Sequence, residues 1–326
     1  MNGNLAYEQR YERKIQNILN KNTQLYGFYS FMNNKAISTR YNYLNIVYNF
    51  LNDIRKSPYK LTLDDFTKFM LKSQKTLNGD NTTSSFRVTI YQALKKYGNY
   101  LVANHQLDRN PMDFIDKPKQ KDSQKTIIKR ENGFLSEDEI EKYIDCVKLG
   151  TYTSKNITYY KERDLAIIMI FLNTGIRCSA LMKIDINDIN FNMKTLTVTD
   201  KEDKVNTYDL SDKLIEIIND WLIKRKQMLN GKEEEALFIS DRKQRMCPGT
   251  IAAIVKKYAY NITGKNISPH KLRATYGTQL YNATGDIYFV QEQMHHENPK
   301  TTEKYIRGIK NSSKKASDIM ANLTMK

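Results

Sequence analysis

Between Asp116 and Asn132 the chain reads DKPKQKDSQKTIIKREN, a run with nine charged residues and few apolar ones. Such a stretch cannot bury enough apolar surface to fold by itself and reads as an extended, solvated linker. It separates two longer segments that each repeat apolar residues at regular spacing. A single core is therefore excluded, and the 326 residues are enough for two. The expected division is a domain over 1–115, a basic linker over 116–133, and a second domain with a C-terminal tail over 134–326.

The first segment predicts helices throughout. Tyr43, Ile46, Val47, Phe50, Leu51 and Ile54 recur at three- and four-residue steps over Thr39 to Ile54. Further helices are expected over Leu61 to Leu71, opened by a turn at Thr62–Asp65, and over Ser84 to Leu101; helical sequence is expected to have begun by about residue 25. The second segment opens on Ser136 and Glu139, the two ends of a capping box. Lys161 to Thr174 reads as an apolar helix stopped by Gly175. Thr195–Thr199 and Val205–Leu210 read as strands joined by a charged turn, with a possible third strand over Leu237–Ser240. Helices are expected over Leu214–Leu229, with Trp221 in the core, over Pro269–Tyr281 and over Ile287–Met294. The fold class is mainly α with a small β-sheet.

Charge narrows the function. Lys and Arg number 52 against 36 Asp and Glu, a net +16. Residues 1–133 hold 22 basic and 11 acidic residues, net +11, whereas residues 134–326 hold 30 and 25, net +5. A basic field concentrated in one half favours polyanions, nucleic acid above all. Candidate phosphate contacts are Arg87, Lys95 and Lys96 on the third helix, Lys117, Lys119 and Lys121 in the linker, and Lys204 and Lys271 in the second domain. The longest apolar run, Leu165 to Leu172, is eight residues. A membrane span takes roughly 20. No secretory signal is visible, and Cys146, Cys178 and Cys247 form no disulfide or zinc pattern. The expected compartment is the cytoplasm.

Cutting a phosphodiester takes a nucleophile, donors for the charge on the non-bridging oxygens, and a proton for the leaving oxygen. The sequence has no carboxylate cluster suited to Mg²⁺, no Cys/His set suited to Zn²⁺ and no G-x-x-x-x-G-K-[ST] loop, so neither metal nor ATP is expected. Four segments supply polar groups instead. They are Thr174-Gly175-Ile176-Arg177, Pro269-His270-Lys271-Leu272-Arg273, Met294-His295-His296 and Thr301-Thr302-Glu303-Lys304-Tyr305. His270 and Arg273 lie three apart and share a helix face.

This series resembles the tyrosine recombinases, the phage integrase family. The family pattern is an arginine in a T-G-x-R turn, then H-x-x-R, then a histidine after a glycine, then a tyrosine after a T-T pair. Arg177, His270, Arg273, His296 and Tyr305 match it in order, and Lys201 matches a lysine in the turn of a hairpin. Ala180 stands where the family usually has glutamate, His295 replaces the glycine, and Glu297 replaces the serine that follows the histidine. The resemblance implies a helical core-binding domain and a mixed α/β catalytic domain that close as a C-shaped clamp on DNA. It implies cleavage through a 3′-phosphotyrosyl bond to Tyr305, with Arg177 and Arg273 on the phosphate, His296 adding a donor, and His270 and Lys201 sharing the proton transfers. The implied partners are duplex DNA with inverted-repeat core sites, three further copies of the chain in a synaptic tetramer formed from free monomers, and an accessory directionality factor. A phage or mobile-element integrase is expected. The alternatives are a Xer-type chromosome dimer resolvase, a type IB topoisomerase-like or telomere-resolving enzyme, and a catalytically silent DNA-binding regulator. His295 is expected to be a packing or solvent-facing residue and not a ligand.

Overall fold

A computed structural model describes residues 2–76, 79–119, 133–150, 160–199, 204–263 and 267–295. The chain divides into two compact units, Leu5–Ser123 and Gln124–Lys326, the first four residues grouping with the latter. The described residues are mostly helical with one small sheet, and none of their helices is long and apolar enough to cross a membrane.

The first unit contains α1 (Asn2–Lys21), α2 (Leu25–Ser30), α3 (Ile37–Ile54), α4 (Leu63–Lys72) and α5 (Ser84–Ala103). Helix α1 begins well before residue 25. Its signal is sparse, because Tyr11, Ile15, Ile18 and Leu19 form a narrow apolar stripe among polar residues, with Ile15, Ile18 and Leu19 buried. On α3 the anticipated face turns inward: Ile46, Val47, Phe50 and Leu51 are buried, joined by Leu44. Phe50 meets Phe66 at 4.8 Å, Phe69 at 5.3 Å and Tyr97 at 6.4 Å between ring centroids, which ties α3 to α4 and α5. Thr62 and Asp65 close a capping box at the start of α4, Thr62 N–H donating to Asp65 Oδ2 at 2.9 Å. Gly98 is needed because a Cβ there would stand 2.9 Å from Asn110 Nδ2 and closer to its oxygen. Asn110, lying flat on α5, donates to Lys95 O at 3.0 Å and accepts from Met112 N at 3.0 Å.

The second unit contains α6 (Glu137–Leu149), α7 (Lys161–Thr174), α8 (Cys178–Lys183), α9 (Asp212–Leu229), α10 (Pro248–Thr263), α11 (Pro269–Thr284) and α12 (Ile287–Gln293). Helix α7 is apolar nearly all round because α6, α9, α10 and α11 all pack on it. Strands β1 (Ile189–Asn190), β2 (Thr195–Thr199) and β3 (Val205–Asp209) pair antiparallel in the order β1-β2-β3. Leu196 faces both Ile189 and Tyr208 across the sheet. Leu196 and Val198 are buried, and Thr197 and Thr199 face out.

The third strand is β1, not Leu237–Ser240. Leu237, Phe238 and Ile239 are all buried, without a strand's alternation. Their backbone is satisfied piecemeal: Leu237 N–H donates to Ile184 O at 2.9 Å, and Leu237 O accepts from Trp221 Nε1 at 2.8 Å. The segment's strand-like pairing stops at an isolated bridge, Ile239 opposite Arg245, with Met246 N–H donating to Phe238 O at 3.2 Å and Ser240 N–H to Gln244 O at 2.8 Å. Trp221 itself is fully buried.

Candidate active site

The T-G-I-R turn is built by α7 running out. Gly175 closes the helix at φ 60°, its N–H donating to Phe171 O at 3.0 Å. Left-handed backbone of this kind suits glycine. The Thr174 hydroxyl donates back to Ile170 O at 2.7 Å and accepts from Ile176 N–H at 3.2 Å, which fixes the bend. Ile176 is buried, and Arg177 follows as the half-buried N-cap of α8.

Helix α11 starts with Pro269 at its first position, where a missing N–H costs nothing. His270 is exposed and Lys271 half-buried, whereas Arg273 is 3% exposed. The Arg273 guanidinium donates to Gly175 O through Nη1 and to Met294 O through Nη2, the latter at 2.6 Å. One buried cation therefore joins three of the four motif segments: the turn ending in Arg177, the helix carrying His270, and the segment ending in His295. Bonds to both terminal nitrogens fix the plane of the guanidinium. Tyr276, one turn further along α11, lies against Gly175, and burial raises its hydroxyl pKa while nearby Arg273 pulls it down. The same helix anchors the start of the unit, since the Thr275 hydroxyl accepts Leu135 N–H at 3.0 Å and Gln279 donates to Leu135 O at 3.0 Å.

His295 adopts φ 49°, left-handed backbone at the position where the family pattern has glycine. Its ring packs edge-on against Tyr208 of β3 at 4.8 Å. The substitution thus retains the turn and adds a contact to the sheet. Ala180, where the pattern has glutamate, is buried in the core.

Lys201, His296 and Tyr305 lie outside the described residues, as does Lys121. Lys204, just before β3, is exposed, as are Lys117 and Lys119. Lys95 stands 3.1 Å from Asp113, whose hydrogen bond raises its pKa, and Lys96 lies 4.2 Å above the Phe31 ring. Arg87 is half-buried near the start of α5, and its Nε, like that of Arg40, is buried without a hydrogen-bond partner. Among the described residues no three His, Cys, Asp or Glu side chains stand where they could hold a metal ion.

A buried polar cluster escapes sequence reading. Asp164 accepts from Arg163 Nε at 3.0 Å, Lys257 Nζ at 3.3 Å and the Tyr258 hydroxyl at 2.7 Å, all three donors being buried. It fastens the start of α7 to α10. Its only signal in sequence is the charged pair Arg163-Asp164 at the head of an apolar helix.

Residues 133–311 match the phage integrase family. Tyrosine recombinase XerC of Caldanaerobacter subterraneus subsp. tengcongensis is 32% identical over 232 residues, 70% of this chain and 60% of that protein. Tyrosine recombinase XerS of Streptococcus mutans serotype c is 30% identical over 259 residues, 76% of this chain and 71% of that protein. In fold the chain resembles the XerH site-specific recombinase solved on palindromic difH DNA, with a TM-score of 0.64 at 20% identity over 87% of this chain and 79% of that one. The chain belongs to the phage integrase family: it is a tyrosine recombinase, an enzyme that breaks and rejoins DNA at specific sites.

Proposed function

We propose that the chain recombines duplex DNA at inverted-repeat core sites, with Tyr305 as the nucleophile. Attack by its hydroxyl on the scissile phosphorus gives a 3′-phosphotyrosyl bond and frees a 5′-hydroxyl. The covalent bond retains the energy of the phosphodiester, so rejoining takes no ATP. Arg177 and Arg273 hold the non-bridging oxygens, and His296 adds a donor to the same phosphate. His270 and Lys201 divide the proton transfers at the tyrosine and the leaving 5′-oxygen. The observation that supports this reading is the bridge from Arg273 to Gly175 and Met294, which joins the turn ending in Arg177, the helix carrying His270 and the backbone at Met294.

In this reading residues 1–115 form the core-binding domain, with Arg87, Lys95 and Lys96 toward phosphates. The linker over 116–133 runs along the backbone through Lys117, Lys119 and Lys121. Residues 134–326 are catalytic, with Lys204 and Lys271 adding phosphate contacts. The two domains close as a clamp on DNA. The protein works in the cytoplasm, is a monomer when free, and forms a tetramer on two duplexes with half its subunits active at a time; an accessory factor sets direction.

A duplex nicked near the cleavage point tests the chemistry, its site being recovered by binding selection from source genomic DNA. Wild type should leave an SDS-stable protein–DNA adduct in EDTA, and Tyr305→Phe should leave none. An adduct that survives in the Phe variant would remove Tyr305 from its role. Deletion from Ser312 onward should reduce recombination more than single-site binding; equal loss of both would count against a tail that joins neighbouring subunits.

Two biological roles divide the support. Kinship with proteins named XerC and XerS favours chromosome dimer resolution, and the departures at Ala180 and His295 favour a mobile-element integrase. The selected sites decide: repeats flanking the protein's own gene indicate the element, and a lone chromosomal site indicates the resolvase.

A further inference from the structure

Two thiols sit on neighbouring elements beside the Arg177 turn. Cys178 is the first residue of α8, bonded directly to Arg177, and its Sγ is 3.9 Å from the carbonyl oxygen of Pro248. Cys247, bonded to Pro248, leads into α10, and its carbonyl accepts the N–H groups of Thr250 at 3.0 Å and Ile251 at 3.2 Å. Cys247 is an exposed residue, and its sulfur lies 3.2 Å from Thr250 Oγ1. Both cysteines are free thiols.

Their surroundings differ in the way a reactive and a resolving cysteine differ. For Cys247 burial disfavours the thiolate. Hydrogen bonds from the Thr250 hydroxyl and from the backbone at Thr250 and Gly249 outweigh it and hold the thiol below its ordinary pKa. For Cys178 burial, aided by the nearby Cys247 sulfur, pushes the thiol up to about 11. Cys247 is therefore the exposed residue with the lower thiol pKa, and Cys178 the half-buried one with the higher.

We propose that Cys247 and Cys178 form a peroxide-responsive pair whose disulfide withdraws Arg177 from the scissile phosphate and switches cleavage off. The idea rests on the reading that Arg177 holds that phosphate. The Cys247 thiolate attacks one peroxide oxygen and the O–O bond breaks; the sulfur keeps that hydroxyl as a sulfenic acid, and the departing hydroxide takes up the proton the thiol had released and leaves as water. The Cys178 sulfur then displaces the hydroxyl group, and its proton departs with it as water. Overall the two thiols lose two electrons and two protons, and hydrogen peroxide becomes two waters. An S–S bond is about 2.05 Å long, so two free thiols must close on each other to form it. Helix α8 has only six residues and carries Arg177 at its N-cap, so it is the element that yields. A displacement of about 1 Å in a catalytic group costs on the order of 100-fold in rate.

The full-length protein treated with hydrogen peroxide, alkylated and digested without reduction should yield a linked Cys178–Cys247 peptide, with Cys146 alkylated. Adduct formation on the nicked duplex should fall by about 100-fold on oxidation and return with dithiothreitol. Cys247→Ser should keep its rate in peroxide, and Cys178→Ser should give a dimedone-trapped sulfenic acid at Cys247 without the linked peptide. Absence of the linked peptide overturns the proposal, as does a linked protein that cleaves as fast as the dithiol form or a Cys247→Ser protein equally inhibited by peroxide. If reduced wild type forms no adduct on any selected site, strand cleavage itself fails and the switch with it. The peptide masses then separate that failure from a failure of the thiols to pair.

Discussion

Gly175→Ala is the sharpest probe of how the fold holds the site. Two costs add at this position. An L residue forced to φ 60° costs roughly 1–2 kcal/mol, because its Cβ crowds the following carbonyl. The added carbon would also stand 3.0 Å from Tyr276 Cε1, 3.1 Å from Cγ and closer still to Cδ1. Comfortable carbon–carbon contacts lie at about 3.5–4.0 Å, so the ring must move. Tyr276 is half-buried on α11, and overpacking of this kind costs roughly 1–3 kcal/mol. The sum is about 2–5 kcal/mol, a large share of the roughly 5–15 kcal/mol that holds a domain together. Trp221 is the only tryptophan of the chain and is buried in this unit, so its fluorescence during urea unfolding reports the unit alone. A double-mutant cycle separates the costs. On a Tyr276→Ala background the steric part disappears and the effect of Gly175→Ala should fall to about 1–2 kcal/mol. Because Gly175 O holds Arg273, adduct formation should fall as well, even where the variant remains folded. A loss below about 1 kcal/mol, or additive effects of the two substitutions, would refute the reasoning.

Three further outcomes are expected. Asp164→Asn should destabilise the same unit by about 3–5 kcal/mol in the Trp221 assay, because it removes the buried carboxylate that both Arg163 and Lys257 bind; a loss under about 1 kcal/mol would contradict that. At position 295 the usual order of residues should invert, with His295→Gly more stable than His295→Ala by about 1 kcal/mol because only glycine is at ease at φ 49°; urea midpoints that favour alanine would remove the left-handed turn. At Asp65, burial raises the carboxyl pKa but hydrogen bonds from Lys56 and Thr62 outweigh it, so the group lies below its ordinary range. A depressed carboxyl stabilises fully above the unfolded value of about 3.9 and loses that contribution as pH falls through the folded one. The stability gap between wild type and Asp65→Asn, read from near-UV tyrosine dichroism, should therefore be widest at neutral pH and close in acid; a gap that persists in strong acid would rule out ionisation as its source.

What was legible in the sequence was local. Apolar spacing revealed α3 and α7, Ser136 with Glu139 marked the start of α6, and Gly175 marked the end of α7, because each is a rule about neighbours within a turn or two. The motif residues could be picked out as types, and the turn that presents Arg177 could be inferred from Thr174 and Gly175. What fixes Arg273 could not be, since both partners are backbone carbonyls, which every residue carries and no side chain announces. Leu237–Ser240 misled for a related reason: a short apolar run fits a strand and a buried connector equally, and the difference lies in donors such as Trp221 that approach from elsewhere. The Asp164 cluster and the Cys178–Cys247 pair likewise depend on α7 or α8 meeting α10, a contact between distant parts of the chain.

The choice of carbonyls at Arg273 bears on how the reaction is driven. A guanidinium that is 3% exposed has lost its water and must be repaid by hydrogen bonds. A carboxylate could do that, but its full negative charge would cancel the field on which the role proposed for Arg273 at the phosphate depends. The two carbonyl dipoles from Gly175 and Met294 hold the side chain rigidly and leave its unit charge in place. They also make the site conditional on the fold, since the carbonyls point correctly only while α7 ends at residue 175 and α12 gives way to the bend at Met294. If Arg273 holds the phosphate as proposed, the enzyme gains from this dependence, because loss of either helix end removes a carbonyl that holds Arg273 and with it the proposed clamp.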